Sequence, residues 1–92
     1  MQMQLAKKLY AKNGLQIEGG GAYPEQYDVF KDGQQVAYYR LRHGVFTVTY
    51  PDAPGEEIMS ECPNGYGIFD GDERLAYLSK AMRQVLLKLG VR

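Results

Sequence analysis

Between residues 15 and 61 the chain breaks into short runs rich in Val, Tyr, Phe and Thr, with apolar and polar positions alternating. A period of two is the signature of a strand with one buried face. The runs predict strands at 15–19, 26–31, 34–42, 45–50 and 56–61. Asp32-Gly33 and His43-Gly44 stand between consecutive runs, where two-residue hairpin turns need positive φ. Gly19-Gly20-Gly21 with Pro24, and later Pro51 with Pro54, mark looser connections.

The two ends read differently. Leu75, Leu78, Met82, Val85 and Leu89, widened by Leu86, recur at spacings of three and four, which predicts an amphipathic helix. Asp70 and Glu73 form a D-x-x-E start resembling a capping box, and Gly90 supplies a stop. The opening "QLAKKLYAK" fits helix or strand. A strand over 7–12 is preferred, because Asn13-Gly14 would then close a hairpin. The expected fold is α+β, one domain over 1–92: an antiparallel β-meander of five or six strands packed on one C-terminal α-helix.

Two-residue turns fix an expected register. The turn at 32–33 pairs Val29 with Val36 and Tyr27 with Tyr38. The turn at 43–44 pairs Arg42 with Val45, Leu41 with Phe46 and Tyr39 with Val48. One face then collects Phe30, Ala37, Tyr39, Leu41, Phe46, Val48 and Tyr50, and should meet the helix stripe. The other collects Tyr27, Val29, Val36, Tyr38, Arg40, Arg42, Val45, Thr47 and Thr49. Exposed Arg and Thr suit the wet face of such a sheet. Tyrosines beside them make an aromatic–basic patch of Tyr27, Tyr38, Arg40 and Arg42, the residue types that favour interfaces.

Composition is that of an ordinary globular chain, with 45% apolar and 24% charged residues. The single cysteine, Cys62, cannot close an internal disulfide, which suits a reducing compartment. No apolar run reaches the roughly 20 residues a membrane span needs, and the start lacks the apolar core of a signal peptide. A cytoplasmic location is expected, with no membrane contact. Net charge is zero but segregated. Residues 1–12 hold three lysines and no acid, 13–71 hold nine acids against three bases, and 72–92 hold five bases against two acids. The acids include a second candidate surface, an acidic edge of Asp52, Glu56, Glu57 and Glu61. The plain alternative is an acidic hairpin lying beside a basic helix.

Candidate chemistry is sparse. "HGVFTVTY" has the spacing of the RNA-recognition strand motif, but stacking requires outward aromatics, and Phe46 and Tyr50 fall on the inner face. "CPNGYGIFDGDE" puts Asn64, Asp70 and Glu73 at calcium-loop spacing, yet Cys62 and Tyr66 occupy ligand positions that need hard oxygen donors. His43 and Cys62 lack a visible third partner for nucleophilic catalysis, and Cys62 beside Pro63 reads as a small, partly buried residue. Glu56 and Glu57, adjacent on a strand, point to opposite faces. No metal, no cofactor and no enzymatic activity are expected.

"GAYPEQYDVFKDGQQVAYYRLRHGVFTVTYPD", followed by "NGYGIFDGDERLAYL", resembles a group of small proteins from phages, prophages and bacterial mobile elements, over about residues 14–89. The resemblance carries no catalytic residues. It implies a habitat in which proteins of this size often bind other proteins, including inhibitors of host defence such as anti-CRISPR proteins. The expected function is therefore non-catalytic protein binding, through the sheet patch or the acidic edge. The alternative is binding of nucleic acid or an anionic small ligand on the Tyr/Arg face.

Overall fold

The computed structural model describes residues 2–90; Met1, Val91 and Arg92, included in the expected domain range and in the terminal charge counts, lie outside the described residues. In chain order the elements are α1 (Gln2–Lys12), β1 (Gln16–Gly20), β2 (Glu25–Lys31), β3 (Gln34–Arg42), β4 (Val45–Tyr50), β5 (Glu56–Glu61) and α2 (Glu73–Lys88). The five strands form one antiparallel sheet in the order β1-β2-β3-β4-β5. Among the described residues, no helix is long and apolar enough to cross a membrane.

The first element corrects the expected strand at 7–12. Ala6 and Tyr10 are buried and Met3 and Leu9 half-buried, a helical spacing that the lysines between them obscure. Asn13-Gly14 is not a hairpin turn but the end of that helix. Leu15 N–H donates to the Tyr10 carbonyl at 2.9 Å and Gly14 N–H to the Ala11 carbonyl at 3.1 Å, with Gly14 at φ +75. This is a Schellman cap, sealed by the buried Leu15. The same left-handed glycine serves a hairpin or a helix end, so the dipeptide alone does not choose.

The two true hairpins turn as predicted. Asp32 and Gly33 have φ of 53 and 80, and His43 and Gly44 have φ of 54 and 76. Positive φ at both central residues matches the right-handed twist of the flanking strands. The β3–β4 register is the expected one, with Arg42 opposite Val45, Leu41 opposite Phe46 and Tyr39 opposite Val48.

The β2–β3 register departs after two pairs. Lys31 faces Gln34 and Phe30 faces Gln35, but Val29 then faces Ala37 and Tyr27 faces Tyr39. Val36 is the extra residue of a β-bulge, and one residue of slip moves side chains to the opposite face. Tyr27, Val29 and Val36 are consequently core residues and not part of the outer face, while Phe30 is half-buried outside the core. A second irregularity puts Thr49 opposite Glu57, leaving Ile58 extra in β5.

Both helices cover the inner face. Ala6 and Tyr10 of α1 join Leu78, Ala81, Met82 and Val85 of α2 in one cluster with Ile17, Tyr27, Val29, Ala37, Tyr39, Leu41, Phe46, Val48 and Met59. The predicted α2 stripe is thus the buried one. Tyr10 crosses this core with a polar thread. Its hydroxyl donates to the Leu78 carbonyl at 2.6 Å, so the 2.7 Å contact with the Tyr39 hydroxyl is donated by Tyr39. Burial pushes both phenols well above the ordinary tyrosine range, keeping them neutral donors.

Leu78 is fully buried between the sheet and α1. Leu78→Ala should lower unfolding stability by about 2–5 kcal/mol, read from urea denaturation. A loss under about 1 kcal/mol would contradict the packing described.

Candidate binding site at the end of the sheet

Three irregular segments meet where β2 begins and β3 ends. They are the connection before Glu25, the turn at His43-Gly44, and the loop at 62–72. Glu25 holds them together. It is the one buried charged residue among those described, 1% exposed. The Arg74 side chain of α2 grips its carboxylate with two bonds, Nε to Oε2 at 2.6 Å and a terminal nitrogen to Oε1 at 3.0 Å. The Tyr27 hydroxyl donates to Oε2, and the Phe69 backbone N–H donates to Oε1 at 2.9 Å. Burial alone would push the carboxyl up. The bonds from Arg74, Tyr27 and Phe69 outweigh it and hold Glu25 below the ordinary carboxylate range.

The loop is tied along its length. Gly67 carbonyl accepts the backbone N–H of both Tyr23 and Glu25, each at 2.8 Å, and Tyr66 carbonyl accepts Gly44 N–H at 2.6 Å. Glu73, at the start of α2, accepts from the N–H groups of Asn64, Gly65 and Asp70 at 2.9, 2.7 and 2.7 Å. Burial raises its carboxyl and these backbone bonds, stronger together, lower it below the ordinary range. Half of the expected capping box is therefore present, the glutamate reaching back to Asp70. The N-cap itself is Asp72, whose side chain makes no cap bond. Gly67 is needed for the close approach of Tyr23, since a Cβ built there would overlap the Tyr23 ring.

This frame carries its aromatic rings outward. Tyr23 is 73% exposed and Tyr66 is 63% exposed, unusual for large rings on well-tied backbone. His43 Nδ1 lies 3.1 Å from the Tyr66 hydroxyl, and the two rings meet edge to face with centroids 5.7 Å apart. Tyr23, Arg42, His43, Tyr66 and Gly67 line a cleft of about 150 Å³, with Val45 and Ile68 also exposed nearby in sequence. Arg40 continues the row from Arg42 on the same face of β3, and neither arginine has an ion-pair partner among the described residues.

The expected sites are only partly brought together. Arg40 and Arg42 are exposed on the outer face, and Tyr38 is half-buried there, its hydroxyl donating to Gln26 Oε1 at 2.7 Å. Tyr27 does not belong: the bulge turns it inward onto Glu25. Asp52, Glu56 and Glu57 are exposed, and Glu61 is half-buried. Glu56 pairs with Lys88 at 2.7 Å and Glu61 with Lys80 at 3.0 Å, so much of the acidic edge is the hairpin-beside-helix arrangement. A larger groove of about 490 Å³ runs between β5 and α2, lined by Ile58, Ser60, Glu61, Lys80, Arg83 and Gln84. It offers no exposed aromatic anchor, and two of its charges neutralise each other, so the smaller cleft is the better candidate. Cys62 is exposed, not partly buried as expected, and His43 is engaged by Tyr66 instead. Among the described residues, no group of three or more His, Cys, Asp or Glu could hold a metal ion.

No protein-family model, curated protein or solved structure matches the chain.

Tyr23 and Tyr66 were missed by pattern reading because neither lies on a strand. Their signal was local: "GAYP" and "NGYG" set a tyrosine among turn formers, where a ring has no core to enter.

The Glu25–Arg74 pair yields a pH prediction. A carboxyl lowered by folding stabilises above its unfolded pKa of about 4.3 and loses that stabilisation as pH falls through the folded value. Glu73 acts with the same sign. Stability should therefore fall on acidification below about pH 4, and Glu25→Gln should flatten that dependence in urea titrations at several pH values. At neutral pH, Arg74→Ala should cost about 3 kcal/mol by stranding a buried carboxylate. Full acid sensitivity in the glutamine variant would show that the pair is not its source.

Proposed function

We propose that the protein is a non-catalytic protein-binding module whose contact surface runs from Arg40 and Arg42 to the Tyr23–His43–Tyr66 cleft. The observation that carries this reading is the exposure of two tyrosine rings on tightly bonded loops beside an arginine that has no ion-pair partner among the described residues. Tyr and Arg are the commonest anchors of protein interfaces, since each joins a large contact area to hydrogen-bonding capacity. A rigid support lets such anchors bind without first being ordered. The chain's single histidine, bonded to Tyr66, is better read as part of this surface than as a general base.

The phage-protein resemblance narrows the proposal to inhibition of a host defence complex. That finer reading rests on the resemblance alone. The acidic edge is the competing surface, and Asp52 and Glu57 remain there without ion pairs among the described residues.

Two double variants separate the surfaces in quantitative pull-downs from host lysate. Arg42→Ala with Tyr66→Ala should weaken capture of the partner by about 2 kcal/mol or more while melting stays cooperative. Glu56→Lys with Glu57→Lys should leave capture within about twofold of wild type. The reverse pattern would move the site to the acidic edge. Equal capture by wild type and both variants would refute both surfaces.

A further inference from the structure

The chemistry of the cleft also specifies what it would hold, if the binding reading above is right. We infer that the cleft accepts an extended acidic segment of a protein partner, with an apolar or aromatic side chain seated between Tyr23 and Tyr66 and its carboxylates on Arg42 and Arg40.

Charge complementarity makes the first argument. The described ion pairs satisfy Lys31, Arg74, Lys80 and Lys88, leaving Arg40 and Arg42 exposed and unpaired side by side on the sheet. Their directly opposite partners are uncharged: Gln26 and Thr47 flank Arg40, and Val45 faces Arg42. Glu25, the nearest buried acid, is already gripped by Arg74. No acid therefore stands directly across from the guanidinium pair; the acids of the same face, Asp28 and Glu18, lie one residue pair further along, in line with Tyr38, where Asp28 accepts from Gln35.

Spacing makes the second argument. Residues two apart on a strand project from one face about 6.5–7 Å apart. An extended peptide has the same repeat. Acids at alternate positions of such a segment would therefore meet Arg42 and Arg40 in register, each able to take a carboxylate in a two-pronged grip. An apolar side chain beyond the acids would reach the tyrosine rings at the end of β3.

Nucleic acid fits less well. The chain is neutral overall, and among the described residues the outer end of β3 offers Arg40, Arg42 and His43, too few contacts to follow a phosphate backbone, with Asp28 and Glu18 on the same face to repel one. Lys7, Lys8 and Lys12 belong to α1, in the helical layer on the opposite side of the sheet.

The test uses full-length protein and NMR titration with two synthetic peptides. One carries a tyrosine followed by two glutamates one residue apart; the second replaces both glutamates with glutamines. The glutamate peptide should shift the signals of Arg40, Arg42 and Tyr66 saturably, and salt should weaken it. The glutamine peptide, and the Arg42→Gln variant with the glutamate peptide, should each bind about fivefold or more weakly. Tyr66→Ala, whose ring is outside the core, should also lower affinity. Equal binding of the two peptides, or no saturable shift, overturns the inference. A tighter response to oligothymidylate than to the glutamate peptide overturns it in favour of nucleic acid. If the lysate partner is lost from the Arg42/Tyr66 variant while the peptides fail to bind, this inference falls and the protein-binding reading stands.

Discussion

A carboxylate with no water around it constrains everything near it. Glu25 opens β2 with its side chain directed into the core, and a bare charge there would cost several kcal/mol. The structure meets that cost with donors from three places: Arg74 on α2, Tyr27 two residues along the same strand, and the Phe69 N–H in the long loop. Each donor must stand where it does. Tyr27 must point inward, which the bulge at Val36 permits. Arg74 must sit in the first turn of α2, which fixes the rotation of that helix. Phe69 must come close enough to donate, and once there its ring packs edge to face on Phe46, with centroids 5.1 Å apart, and stacks on Tyr77.

The site inherits its rigidity from that arrangement. The loop bearing Tyr66 has no regular structure, yet Glu25 and Glu73 between them bond its backbone from Asn64 to Asp70. Two adjacent residues of α2 thus act on the loop in different ways, Arg74 through the buried glutamate and Glu73 directly. Exposed rings on a floppy loop would lose most of their contact energy to ordering. Here that ordering is already complete in the free chain, supported by bonds unrelated to any partner.

How far this was legible in the sequence depends on the range of the interaction concerned. Period two, period 3.6 and the two hairpin dipeptides are local, and they placed five strands and α2 within a residue or so. The β3–β4 register followed from turn geometry alone. The bulge did not, because Val36 is an acceptable residue on either face and only the demands of Glu25 and Tyr39 select the slipped pairing. Asn13-Gly14 failed for a different reason: its left-handed glycine serves helix caps and hairpins equally well. Of the expected patch, Arg40 and Arg42 stand where alternation put them, Tyr27 was lost to the bulge, and Tyr23 and Tyr66 arrived from loops that periodicity cannot address. Glu25 looked like a strand-edge surface acid, and nothing short of the arginine forty-nine positions later could have marked it as buried.

Charge segregation along the chain acquires a meaning from the same pairing. The acidic 52–61 segment and the basic α2 neutralise each other through Glu56–Lys88 and Glu61–Lys80, and α2 spends Arg74 on Glu25. These pairs join neighbouring elements, so net neutrality does not mean that every surface is neutral. Arg40 and Arg42 lie on the sheet face that neither α2 nor the acidic edge strand covers. The helices and the acids they pair with lie on the other side or the far edge of the sheet, and the acids of the outer face, Glu18 and Asp28, stand beyond Arg40 toward the opposite end of β3. The outer end of β3 is thus cationic by exclusion, and it is the same end to which the Glu25 clamp delivers two exposed tyrosines. A polar face that merely had to stay wet would gain nothing from rings held there, whereas a face that has to dock needs both the contact area and the charge.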